Sequence, residues 1–204
     1  MKEIEKVKEK TKVEKVVQIQ GIQLEEATFK VVGTSPLLVD KFPEEVKKEI
    51  EDKQAGKSQV KKKIRDIDNE TERAVHRLPD GEVGFPAAGF KNGLIESTSF
   101  VGTKDFSKKL LRGIQIVNAV DGLIPINFKE QTICIHSVKS NTKHSPQFNG
   151  WSCDLKIKFD RNNISAEDLA TLLNYAGFYY GIGIWSPRCK SGGSYGMYKL
   201  AEKK

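Results

Sequence analysis

The amino-acid sequence predicts an α+β protein, a sheet of short strands combined with two helices and carrying a charged helical insertion. Three observations lead there. Short β-prone runs such as ATFKVV and CDLKIKF recur along the chain. The segment AEDLATLLNYA places Leu169, Leu172, Leu173 and Ala176 on one helical stripe. Residues 40–79 change to a charge-dense, helix-favouring composition.

Composition sets the frame. The chain has 204 residues, 38% hydrophobic and 30% charged, with a net charge of +7. That length suits one domain with room for a genuine core. The longest apolar runs are too short to span a bilayer, and MKEIEKVKEKTKVEK has no apolar signal-peptide core. Cys134, Cys153 and Cys189 form no CxxC pair. A disulfide scaffold and a four-cysteine zinc site are excluded, and a reducing, cytoplasmic setting follows. The positive surplus lies in the second half, with +5 over residues 100–161 and +4 over 186–204. Such a surplus points to a polyanionic partner, although a charge of this size also serves ordinary solubility.

Along the chain, residues 1–15 read as a flexible charged arm and 16–204 as one domain. Val16 to Ile19 and Ala27 to Val32 are β-prone runs. From Pro43, PEEVKKEIEDKQ has Pro at a first helical position and acids in the first turn. After a Gly-Lys-Ser break, Val60, Ile64, Ile67 and Val75 stripe a second segment, so 40–79 reads as a helical hairpin. It is either a solvated surface element or a clamp over a ligand. Pro86 starts a helix with Phe90, Leu94 and Thr98 on one face. Gly89 and Gly93 inside it cost about 1 kcal/mol each, which marks a close approach by another group. Residues 105–112 form a short amphipathic turn or helix. IQIVNAV and LIPINF are strands joined by Asp121-Gly122, a two-residue hairpin signal. QTICIHSV and WSCDLKIKF are strands, and SNTKHSPQFNGW between them reads as an exposed loop carrying His144. In the second strand Cys153, Leu155, Ile157 and Phe159 alternate with Asp154, Lys156 and Lys158. Ser165 with Asp168 forms a near capping box for the last helix, which Gly177 ends.

The C-terminal loop is the candidate binding element. Gly181, Gly183, Gly192, Gly193 and Gly196 are interleaved with Trp185, Arg188, Lys190 and Tyr195. Glycines bring bare N–H groups to a ligand, cations meet phosphates, and rings stack on unpaired bases. A glycine-rich turn burying Trp185 is the alternative. No GxGxxG or GxxxxGK[ST] motif is present, so a dinucleotide fold and a P-loop are excluded.

Two of these segments resemble the RAMP superfamily, CRISPR-associated RNA-binding proteins that include guide-RNA-coating backbone subunits. Phe85-Pro86-Ala87-Ala88-Gly89-Phe90-Lys91-Asn92-Gly93-Leu94 is similar to the segment that begins the family's first helix. Gly181-Ile182-Gly183 with Gly193-Ser194-Tyr195-Gly196 is similar to its C-terminal glycine loop. Phage proteins ending in GxGxWRPxxxGxYGxF look closer still, and Ser186 departs from them where they carry Arg. The resemblance implies an RRM/ferredoxin-like antiparallel sheet with helices on one face, and single-stranded RNA or DNA as partner, with RNA favoured. It implies homo-oligomers along the strand, no cofactor and no membrane, in a host cytoplasm if phage-encoded. It places Lys91 near backbone phosphates and the 181–196 loop along the strand. The basic second half adds Arg112, Lys156 and Lys158 to the candidate contacts.

Catalysis has less support in the residues. HExxH, HxE…PCxxC and GxSxG are absent. Cys134 and His136 share a strand face without a second pair. The resemblance also implies an alternative, a metal-independent RNA-processing endonuclease of the same superfamily with His76 or His144 as general base or acid. A phage interaction protein acting through the charged hairpin stays open as well.

Overall fold

A computed structural model describes residues 21–202 except 43–46, 49–50, 53, 57–65, 102–106, 108–109, 111, 139–140 and 191. The expected arm at 1–15, the run Val16 to Ile19, and Val60 and Ile64 lie outside the described residues. The elements are β1 (Leu24–Gly33), β2 (Leu37–Leu38), α1 (Ile67–Arg73), β3 (His76–Arg77), β4 (Val83–Pro86) and α2 (Ala87–Ser97). A 3-10 turn (Thr98–Phe100) precedes β5 (Ile114–Ile116), β6 (Leu123–Pro125), β7 (Glu130–Val138), β8 (Asn141–Asn149) and β9 (Ser152–Asp160). Then come α3 (Ala166–Tyr175), a π-helical turn (Ala176–Tyr180) and β10 (Tyr198–Leu200).

The principal sheet has the order β10-β1-β9-β5, antiparallel throughout. Taken with α2 and α3 in chain order it is β-α-β-β-α-β, the ferredoxin-like arrangement. The alternation in β9 drives it. Cys153, Leu155, Ile157 and Phe159 are buried, as are Leu169, Leu172 and Leu173 of α3 and Phe90 and Leu94 of α2. One face of the sheet is therefore covered by both helices and forms the core. Ser165 caps α3 with the full capping box to Asp168.

Two insertions build a second part. Residues 34–86 supply β2, α1, β3 and β4, and residues 117–151 supply β6, β7 and β8. They interlock as the sheets β2-β8-β7 and β3-β4-β6.

Several expectations are corrected here. The segment 40–79 is not helical to its end. Asp66 caps α1 by accepting from Asn69 N at 3.1 Å, and the helix stops at Arg73. Val75 is buried in the run into β3, which pairs with β4, while Ile67 is exposed. The polar gap from Asn69 to Glu72 leaves α1 no apolar stripe to prolong it. The turn at Asp121-Gly122 has the expected positive φ angles of 50° and 77°. Its flanking strands separate, however, β5 joining β9 and β6 joining β4, and Val120↔Leu123 is the bridge between them. The segment holding His144 is strand β8. Pro146 disguised it. Its carbonyl accepts from Val39 N at 3.2 Å, so its missing N–H faces the β2 side and the ladder to β7 is continuous.

The helical glycines are explained by the protein's own packing. A Cβ on Gly89 would come within 2.7 Å of the Phe85 ring, and one on Gly93 would touch Ala176. Gly177 does not end the last helix, since the π turn continues to Gly181 at φ 60°. A side chain at Gly177 would collide with the Tyr198 carbonyl, so this glycine admits β10 instead. Among the described residues no helix is long and apolar enough to cross a membrane.

Candidate nucleic-acid interface

The glycine loop is folded onto itself. Positive φ occurs at Gly181, Gly183, Trp185, Gly192 and Gly196. Ile182 N donates to Gly196 O at 2.9 Å, Ile184 N to Leu38 O at 3.1 Å, Tyr195 N to Trp185 O at 3.1 Å and Gly196 N to Pro36 O at 2.7 Å. Gly181 N and Gly192 N also donate internally. Side chains at Gly183, Gly193 and Gly196 would collide with the carbonyls of Leu38, Trp185 and Ile182. The amides of Gly181, Gly192 and Gly196 are therefore engaged within the protein, and three chain crossings need Gly183, Gly193 and Gly196. At Gly192 a Cβ would meet nothing within 4 Å, and the residue is exposed.

The loop's side chains divide. Ile182 and Ser186 are buried. Trp185 is half-buried, with its ring edge-to-face on His136 at 5.6 Å, so it is neither a core tryptophan nor a free stacking platform. Tyr195 Oη lies 4.0 Å from Cys134 Sγ. Burial, then the nearby Lys143 cation, holds the His136 imidazole below its ordinary pKa. Lys143 is itself paired with Asp40. Lys190 is exposed, and Arg188 is half-buried in an ion pair with Glu96 at the end of α2.

The other sequence-derived residues are scattered. Lys91 donates to Ile114 O at 3.0 Å and so ties α2 to β5. Arg112 is exposed just before β5. Lys156 and Lys158 project from the open face of the principal sheet, with Nζ atoms 2.7 and 3.5 Å from the Glu26 carboxylate. The Lys156 hydrogen bond, reinforced by its charge, holds the Glu26 carboxyl below its usual pKa. That face presents Thr28, Lys30, Asp154 and Gln115 beside them and, among the described residues, no aromatic ring. It therefore lacks the stacking rings with which RRM sheets hold bases.

Aromatic rings gather elsewhere, at residues the sequence reading did not single out. Phe100 stacks on Tyr179 at 4.3 Å and on Tyr175 at 5.6 Å, and Phe178 stands edge-on to Tyr179 at 5.0 Å. Phe100, Phe178 and Tyr179 are 48%, 61% and 45% exposed. Tyr180 anchors the group. Its Oη donates to Glu96 O at 3.1 Å, and its carbonyl accepts from Arg188 N at 3.2 Å. The ring cluster and the Arg188 ion pair thus share the end of α2. The π turn explains the exposure. Continued α-helical spacing would carry the Leu169–Ala176 stripe on to Tyr179 and Tyr180, whereas wider winding turns Phe178 and Tyr179 outward. The signal in the sequence was the Phe-Tyr-Tyr run immediately before the glycine loop.

Among the described residues no group of three or more His, Cys, Asp or Glu is placed to hold a metal. His76, on β3, is held below its ordinary pKa chiefly by burial, and His144 sits on β8.

No protein-family model matches this chain, and no curated protein matches it. A search of solved structures finds similarity to the crystal structure of Cmr6 from Pyrococcus furiosus, with 10% sequence identity and a TM-score of 0.44, covering 88% of this chain and 98% of that one.

Proposed function

We propose that this protein binds single-stranded nucleic acid without catalysis and largely without sequence preference. The observation that carries the reading is the stack of Phe100 on Tyr175 and Tyr179, with Phe100 and Tyr179 exposed, joined through Tyr180 and Glu96 to Arg188 and the glycine loop. Stacked, solvent-facing rings beside cations suit bases and phosphates together, because every base has a π-face and every linkage a charge. RNA is favoured over DNA by the resemblance of the 85–94 and 181–196 segments to an RNA-binding superfamily. Lys190 and Arg112 supply exposed cations, and Gly192 gives the nucleic acid an unobstructed approach. Successive copies along one strand are the mode of assembly that the same resemblance implies.

The test is fluorescence anisotropy with labelled oligo(U) and oligo(dT). The expected result is binding at 50 mM salt that weakens steeply with added salt, by about 0.7 log units in K per log unit of salt for each phosphate contacted. Absence of binding to both probes at that salt overturns the reading. Cleavage of the labelled RNA, abolished by His76→Ala or His144→Ala, would replace it with the endonuclease reading.

A further inference from the structure

The sheet β2-β8-β7 ends in an open edge. β7 pairs with β8 over nine consecutive residues without a bulge, from Glu130↔Asn149 to Val138↔Asn141. Among the described residues the sheet has no strand beyond β7. Such edges are ordinarily blunted by lysine, proline, a bulge or a cover. The span Gln131-Thr132-Ile133-Cys134-Ile135-His136-Ser137 has no Lys, Arg, Asp, Glu, Pro or Gly. It also exposes two large apolar side chains, Ile133 at 42% and Ile135 at 65%.

The direction of the free backbone groups follows from the ladder. The Pro146 carbonyl accepts from Val39 N, so even-numbered residues of β8 point their backbone groups toward β2. Odd-numbered residues of β8 then point toward β7, and their partners there, Thr132, Cys134 and His136, are even-numbered. Gln131, Ile133, Ile135 and Ser137 therefore direct N–H and C=O outward to the free edge. Their side chains share the exposed face.

This edge is self-complementary. Laid antiparallel on a second copy about Cys134, it sets Ile133 opposite the second copy's Ile135 and Gln131 opposite its Ser137. Every residue with outward backbone groups meets another such residue. The two exposed isoleucines of each copy cover those of the other, and no Lys, Arg, Asp or Glu lies within the paired span 131–137. We infer that β7 is a dimerisation edge, joining two copies of this chain through a two-fold axis at Cys134 into one six-stranded sheet, β2-β8-β7-β7-β8-β2. The contact is isologous and closes at two copies. It does not rest on the nucleic-acid reading, because it needs no strand to bridge the copies.

In this register Cys134 faces the second copy's Cys134 as a non-hydrogen-bonded pair, with Cα atoms about 4.5 Å apart, within disulfide reach. The experiment uses the nuclease-treated full chain. Light scattering after gel filtration, at loading up to ~100 µM, is expected to give twice the 22.9 kDa chain mass. Ile135→Lys is expected to give the monomer with an unchanged circular-dichroism spectrum, and Ser137→Lys provides a second disruption. Mild copper-phenanthroline oxidation is expected to yield a covalent dimer that persists in Cys189→Ser and vanishes in Cys134→Ser. A monomer at every concentration, a dimer indifferent to both lysine variants, or a crosslink surviving Cys134→Ser overturns the inference.

Discussion

The open face of the principal sheet and the end of the molecule where α2 meets the π turn both present cations, but they differ in what surrounds them. On the sheet, Lys156 and Lys158 converge on Glu26 with no ring among them. At the α2 end, Arg188 also has an acidic partner, Glu96, yet Phe100, Tyr179 and Phe178 stand exposed beside it and Lys190 is solvated. A polyanion meeting the sheet must compete with a carboxylate already in place and gains no stacking. At the α2 end it also displaces an ion pair, a partly buried one, but gains ring surface in exchange. On the proposed reading the rings, more than the number of lysines, set the α2 end apart from the sheet face.

The largest way to break this contrast is to remove the rings. Phe100→Ala with Tyr179→Ala is expected to weaken oligonucleotide binding more than tenfold, since base stacking is worth about 1–3 kcal/mol per base. Anisotropy titrations check it, and unchanged affinity would leave the two surfaces equivalent. Next in size is the loop. Gly196→Ala is expected to cost more than about 1 kcal/mol of stability in denaturant melts, because its φ of 65° is unfavourable to Ala and a methyl there strikes the Ile182 carbonyl. A stable Gly196→Ala protein would return this glycine to a ligand-facing role. Arg188→Ala with Lys190→Ala is expected to weaken all sequences several-fold alike and to lower the salt slope by about 1, read by the same titrations over a salt series.

Acid provides a smaller probe. His76 and His136 both have pKa values lowered by burial, so the unfolded chain binds more protons than the folded one below about pH 6.5. Stability is then intact above that pH and falls as pH drops through it, which thermal melts between pH 8 and 5 would follow (a span set by the ordinary imidazole value). His136→Gln should flatten part of that slope. The smallest effect belongs to the sheet. Lys156→Ala with Lys158→Ala is expected to change affinity less than about twofold, because Glu26 already screens these charges.

The periodic elements were legible in the sequence. The β9 alternation, the α3 stripe with its Ser165 cap and the Phe90–Leu94 face each follow from spacing and burial, and together they set the core. Three features were hidden by competing chemistry. Pro146 reads as a loop signal, yet its missing donor falls on the side of β8 where a short partner strand ends. Asp121-Gly122 dictates a turn but says nothing of which strands its arms join, a long-range matter decided by β4 and β9. The glycine loop shows conformational freedom without showing direction, and the need for three chain crossings spends that freedom internally. The exposed rings are not legible from spacing, because a helical period points Tyr179 inward and the π turn that reverses this has no simple spacing signature.

Ultraviolet crosslinking of the protein to a uridine-rich oligonucleotide, followed by mass spectrometry of the attached peptides, tests where the strand lies. Crosslinks at Phe100, Phe178 or Tyr179 and in the peptide holding Arg188 and Lys190 are the expected result. Adducts confined to β1 and β9 on the open sheet face, with none near the π turn, would contradict it.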